Sequence, residues 1–161
     1  SEIIKNNIQN NNNIDIVKSW RLNERHYGIL EGLNRDYANK IYGNKTISSI
    51  RKKYYYMPYI INNQPIIDYN IINNNQNLMM GESINMVYKR LLPLWDEQIK
   101  TDILRNNNLL IVSHKNTIKA LMKIIEELNI NEIENLDIQN SELIVYNFDN
   151  QLRLLNKEIL N

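Results

Sequence analysis

This sequence predicts an α/β sandwich with a largely parallel sheet, and three features point to it. Residues 109–113, Leu-Leu-Ile-Val-Ser, are a short continuous apolar run, the pattern of a strand covered on both faces. Helical stripes precede and follow that run: Ile84, Val87, Leu91, Leu94, Trp95 and Ile99 on one side, Ile118, Leu121, Met122 and Ile125 on the other. Strands that alternate with helices in this way build layered α/β folds.

The elements follow in order. Ile3, Ile4 and Ile8 in residues 1–10 have helical spacing, as though the chain began within a helix. Ile14, Ile16 and Val17 form a short apolar segment that predicts a strand. Two short helices are expected over residues 35–42 and 46–54, separated by Gly43 as a C-cap. Residues 55–80 hold Pro58, Pro65 and many Asn without a sustained period, and predict a long loop covering a site. A long helix is expected over residues 82–104, kinked or split at Pro93. Another spans residues 116–128, and residues 130–138 form a short helix or turn. Residues 143–148 and 152–155, joined through Asp149 and Asn150, predict a closing β-hairpin.

Composition sets bounds on function. The chain has 161 residues, enough for one domain with a sizeable core. A formal charge of +1 provides no field to gather nucleic acid or an anionic membrane. Cysteine is absent, which removes disulfides and thiolate metal sites and fits a reducing compartment. No apolar run is long enough for a membrane span or a signal-peptide core, so a soluble cytoplasmic protein is the expectation. Asparagine is enriched and clusters at 10–13, 73–75 and 106–108, between the periodic segments, where it reads as loop.

The densest chemistry lies in residues 19–35, S-W-R-L-N-E-R-H-Y-G-I-L-E-G-L-N-R. Arg21, Glu24 and Arg25 cannot all be buried unpaired, and the apolar spacing is too poor for a strand or an amphipathic helix. A loop whose polar groups converge on a ligand fits this composition, and so does a solvated loop with an Arg–Glu pair. His114 stands at the carboxyl end of the apolar run and before a helix, where open α/β sheets bind ligands. The first amides of that helix favour an anion, and Asn116 adds a donor. Taken alone, a histidine there serves structure as readily as function. Arg51-Lys52-Lys53 is more often a solvated charge run than a site.

S-W-R-L-N-E-R-H-Y-G followed by G-L-N resembles the signature of the cofactor-dependent phosphoglycerate mutases, a branch of the histidine phosphatase superfamily. L-L-I-V-S-H-K-N-T-I-K-A-L resembles the family's second histidine motif, with Lys115 in place of a glycine. Y-G-N-K-T-I-S-S-I-R-K resembles its arginine-pair motif, with Lys52 for the second arginine and the loss of its bidentate fork. G-E-S-I and L-P-L-W match a further segment, and all four glycines fall on family positions. I-Q-N-S at residues 138–141 replaces the family's I-P-T-G.

The resemblance, over about residues 17–160, implies a three-layer sandwich with a mostly parallel central sheet. The whole chain would be one such domain, the C-terminal two-thirds of the family fold, without the N-terminal strand–helix unit. The implied activity is interconversion of 3- and 2-phosphoglycerate, with 2,3-bisphosphoglycerate as primer and no metal. Glu24 maps onto the acid/base glutamate and His114 onto the histidine that stabilises the transferring phosphoryl group. Arg25, His26, Tyr27, Arg35, Arg51, Lys52, Lys115 and Asn116 map onto substrate-contacting positions. The expected partner is a small phosphorylated metabolite. Nucleic acid and membrane are not expected.

No Arg-His-Gly occurs in these residues, so the family's phosphoryl-carrying histidine has no counterpart and this chain is expected to be inactive as given. Two alternatives stand beside the mutase: a phosphatase of the same superfamily, and a non-catalytic phosphometabolite-binding or scaffold protein. In the family the R-H-G strand lies beside the strand corresponding to residues 109–113. That strand is therefore expected to be covered by a segment outside this sequence, by a second copy in a homo-oligomer, or by another partner.

Overall fold

The computed structural model describes residues 14–58, 60–61, 64–65 and 81–160. The helix end expected in residues 1–10 and most of the expected loop over 55–80 lie outside them. Helix α1 is Arg35–Tyr42 and α2 is Asn44–Lys52. Asn34 caps α1 by accepting from the Asp36 amide. Gly43, at φ 84°, turns the chain between the two helices in a region that favours glycine. One short antiparallel ladder follows, β1 (Ile60–Ile61) against β2 (Gln64–Pro65).

Ser83 caps α3, Ile84–Leu94, through the Met86 amide. Pro93 lies inside α3 with no N–H to donate, and the helix continues as a π-helical stretch, Trp95–Ile99, before α4, Lys100–Leu104. The break expected at proline is thus absorbed as a change of winding rather than a separation. Helix α5 is Lys115–Glu126 and ends at Glu127 in the left-handed conformation. Helix α6, Ile130–Asn135, opens with a capping box between Asn129 and Glu132. Strands β3 (Leu143–Phe148) and β4 (Leu154–Leu160) close the chain as an antiparallel hairpin, the second strand longer than its apolar pattern suggests.

The main core lies between α3, its π-helical continuation and α5. Ile84, Val87, Leu91, Leu94, Trp95 and Ile99 meet Ala120 and Leu121 there, joined by Tyr54 and Ile133. A smaller cluster of Leu30, Ala38, Ile47 and Ile50 sits where the 19–35 loop meets α1 and α2. Burial of these apolar stripes is the main favourable term in holding the helices together.

The sheet departs from expectation. Among the described residues the strands form two separate two-stranded antiparallel pairs. Residues 14–17 and 109–113 carry no ladder. In the 109–113 run only Ile111 packs against the core, while Leu109, Leu110 and Val112 are exposed. A central strand needs edge partners for its backbone and packed layers over both faces, and no described segment pairs with this run. No helix among the described residues is long and apolar enough to cross a membrane.

Candidate active site

Residues 19–30 reach the start of α5 as two short 3-10 turns, Trp20–Leu22 and Gly28–Leu30, with Glu24 between them. Their position is set by backbone carbonyls answered from elsewhere in the fold. Arg90, on the inner face of α3 and 9% exposed, donates Nη1 to the Trp20 and Arg21 carbonyls at 2.9 Å each. Its Nη2 donates to the Asn23 carbonyl at 2.8 Å and the Glu24 carbonyl at 3.3 Å. Its Nε lies 2.9 Å from Glu82 Oε1, so the buried charge is paired. From the other side, Ser113 Oγ donates to the Leu22 carbonyl at 2.6 Å and Thr117 Oγ1 to the Asn23 carbonyl at 2.8 Å.

Gly81 lets the second contact segment approach. A Cβ built there meets Pro58 Cγ at 1.9 Å and both the Gly28 nitrogen and the His26 oxygen at 2.8 Å. Only glycine permits that closeness. It brings the Glu82 amide to the His26 carbonyl at 2.7 Å, and the His26 amide to Glu82 Oε2 at 3.0 Å.

With the loop so held, Glu24 Oε2 comes to 3.5 Å from His114 Nδ1. Asn116 Nδ2 donates to the Tyr27 hydroxyl at 2.9 Å and stands 3.4 Å from Glu24 Oε1. These four side chains come from one loop and one helix start. The Arg51 guanidinium lies over the Tyr27 ring, 5.4 Å from its centroid, and so joins the group at the end of α2. Lys52 follows it, exposed. Both histidine and carboxylate remain open to solvent, at 64% and 38% side-chain exposure, so a ligand has access to them.

Three expected substrate residues stand differently. Arg25 is 1% exposed and turned inward: Nε donates to the Glu82 carbonyl at 2.5 Å, and Nη2 to the Ile50 and Tyr56 carbonyls at 2.9 Å each. Burial lowers its pKa to about 10, with Tyr27, Glu82 and Glu24 pulling the other way, so it stays charged at neutral pH. It ties the loop to α2 and the Glu82 segment. His26 is exposed, and its Nδ1 accepts from the Gly28 amide at 3.0 Å, shaping the turn. Arg35 opens α1, and among the described residues no hydrogen bond or ion pair links it to the others.

Lys115, the first residue of α5, places Nζ 2.5 Å from Asp137 Oδ1. That bond, with Lys115's charge, holds the Asp137 carboxyl below its ordinary range. One turn further, Lys119 is 8% exposed. Burial first, then the like charge of Lys115, lowers its ammonium's pKa; Asp137 opposes this and Lys52 adds to it.

Sequence reasoning passed over Arg90 and Lys119. The signal for Arg90 was present: a lone arginine between Val87 and Leu94 falls on the apolar stripe of α3. Among the described residues no three His, Asp or Glu side chains gather as a metal site would require.

Residues 5–157 match the model of the histidine phosphatase superfamily, branch 1, and the chain belongs to that family. It is 36% identical over 149 residues to 2,3-bisphosphoglycerate-dependent phosphoglycerate mutase 2 of Lactobacillus johnsonii, covering 92% of this chain and 65% of that protein. The 2,3-bisphosphoglycerate-dependent phosphoglycerate mutase of Blochmanniella pennsylvanica is 39% identical over 142 residues, 84% of this chain and 61% of that protein. The corresponding mutase 1 of Latilactobacillus sakei is 35% identical over 145 residues, 89% and 61% respectively. The chain therefore spans somewhat under two thirds of the length of these curated relatives.

Proposed function

We propose that this chain carries the acid–base and phosphate-holding side of a phosphoglycerate mutase site, within the family's three-layer sandwich. The observation that carries the proposal is the convergence of Glu24, Tyr27, His114 and Asn116 at the start of α5. His114, Asn116 and the first amides of α5 hold a phosphoryl group where the helix end favours negative charge. Glu24 exchanges a proton with the substrate hydroxyl beside that group. Arg51 and Lys52 hold the substrate's remaining anionic end, and Arg35 extends that cationic side. Arg25 and His26 keep the loop in shape, as positioning residues.

The donor set suits 2,3-bisphosphoglycerate, an anion with no need of a metal; when bound as primer it supplies the phosphoryl group. The 161 residues contain two histidines and no Arg-His-Gly. His26 is taken up in the turn and His114 in holding phosphate. The purified chain is therefore expected to show negligible mutase turnover while still binding ligand.

The test is a calorimetric titration with 3-phosphoglycerate. We expect an affinity near 1 mM, about −4 kcal/mol, that is lost in His114→Ala. Micromolar binding that survives His114→Ala places the ligand elsewhere and removes the proposal.

A further inference from the structure

Two hydroxyls flank His114, and both reach the loop that carries Glu24. Ser113, the residue before it, donates Oγ to the Leu22 carbonyl at 2.6 Å. Thr117, in the first turn of α5 and fully buried, donates Oγ1 to the Asn23 carbonyl at 2.8 Å. Leu22 and Asn23 are the two residues before Glu24. A helical threonine commonly directs its hydroxyl to a carbonyl three or four residues back in its own helix. Thr117 instead reaches across 94 positions to the loop. The acceptor does not need it, because the Asn23 carbonyl also receives Arg90 Nη2 at 2.8 Å.

The two anchors of that carbonyl register different things. Arg90 ties the loop to α3, which contributes none of the four converging side chains. Ser113 and Thr117 tie it to the segment that carries His114 and Asn116. Among the described residues, the other side-chain bonds from residues 113–117 to this loop belong to the site itself: His114 to Glu24, and Asn116 to Glu24 and Tyr27. A ligand held by His114 and Asn116 competes for those contacts, and its negative charge repels the Glu24 carboxylate. Proton exchange nevertheless requires Glu24 to stay beside that anion.

We propose that Ser113 and Thr117 are positioning residues for the proton exchange assigned to Glu24. Their hydroxyls clamp the loop to the start of α5 through backbone carbonyls, and keep Glu24 beside His114 when an anion occupies the helix end. The inference rests on the phosphate-holding role of His114 and Asn116 given above.

The experiment measures the nuclear Overhauser effect between the Glu24 side-chain methylene protons and the His114 ring, with and without saturating inorganic phosphate. This signal fades steeply with distance. The wild-type chain should show it in both states. Thr117→Val, which removes the hydroxyl and keeps the shape, should show it without phosphate and lose it when phosphate is added. Ser113→Ala should do the same, and it carries the test if circular dichroism shows Thr117→Val unfolded. Thr117→Ser, which keeps a hydroxyl, should behave as wild type.

A signal that survives phosphate in each folded variant lacking a hydroxyl overturns the clamp. So does a signal already absent before phosphate is added, since the hydroxyls would then act with no dependence on the anion. Amide shifts separate this proposal from the reading beneath it. If phosphate shifts the His114 and Asn116 amides in wild type while the signal fails either criterion, the clamp alone is wrong. A wild-type chain whose His114 and Asn116 amides do not respond to phosphate overturns the phosphate-holding role and the clamp together.

Discussion

Residues 19–30 and residues 104–113 reverse the usual relation between polarity and burial. The first stretch is crowded with charge, yet Arg25 is buried and the carbonyls of residues 20–24 are answered by Arg90, Ser113 and Thr117. The second holds five large apolar residues, yet Leu104, Leu109 and Val112 are exposed and Leu110 is 58% exposed. Hydrophobicity rewards burial only where a complementary surface exists to cover it, whereas a charged loop can be buried when every strong donor has an acceptor. In this chain most donors of the polar network find acceptors among the described residues, Arg25 Nη1 and Arg90 Nε being buried without a hydrogen bond, whereas the apolar run finds no such cover.

The largest effect should come from breaking the network at its centre. Arg90→Met leaves the carbonyls of residues 20, 21 and 24 without their donor, that of residue 23 with Thr117 alone, and Glu82 without its charge partner. Removing one member of a buried pair costs about 3–5 kcal/mol. Urea unfolding should show that loss, and phosphate binding should weaken with it as Glu24 moves from His114. A loss under about 1 kcal/mol means that the loop is held by other contacts.

Gly81→Ala should come next. Its Cβ has no room against Pro58, Gly28 and His26, and overpacking of this kind costs about 1–3 kcal/mol. A thermal melt checks it, and an unchanged melting temperature would show that the two segments are not in such close contact.

A smaller effect depends on pH. The Glu134 carboxyl is raised by burial, but its bonds to Lys53 at 2.6 Å and to the Tyr54 amide at 2.8 Å outweigh that and hold it below the ordinary range. A carboxyl depressed in the folded state stabilises fully above its unfolded value and loses that contribution as pH falls through the folded value. The stability gap between wild type and Glu134→Gln should therefore be constant near neutrality and narrow below about pH 4. Urea midpoints at pH 7 and pH 3 measure it. A gap that widens on acidification would contradict the assignment.

The smallest effect sharpens the other side of the comparison. Leu110→Ala should change stability by no more than about 0.5 kcal/mol, as expected at an exposed site. Ile111→Ala, which removes the one side chain of the run that reaches the core, should cost more. If Leu110→Ala is the costlier of the two in solution, that segment is covered by another surface.

Local rules made much of this legible in the sequence. The α1 bounds, the Gly43 break and the amphipathic helices over α3 and α5 follow from periodicity and capping, which need only near neighbours. So does the turn that joins β3 and β4. Glu24, Tyr27, His114 and Asn116 were expected at the site because they belong to motifs, and the fold brings them together. Arg25 was expected to face the substrate but serves the loop, because whether a guanidinium points inward depends on carbonyls of residues 50, 56 and 82, far away in sequence. Pairing of the 109–113 run was equally beyond local reasoning, since an apolar run specifies that it wants neighbours without specifying which.

The central claim is that one loop and one helix start form a single phosphate-holding site. Amide chemical-shift mapping of the 15N-labelled chain during titration with 3-phosphoglycerate tests it most directly. The account predicts saturable shifts that cluster at Glu24, Tyr27, His114, Lys115 and Asn116, fit one dissociation constant near 1 mM, and leave Leu110 and the β3–β4 hairpin still. Shifts that gather around Leu110, or that spread without saturation while Glu24 and Asn116 stay in place, would contradict it.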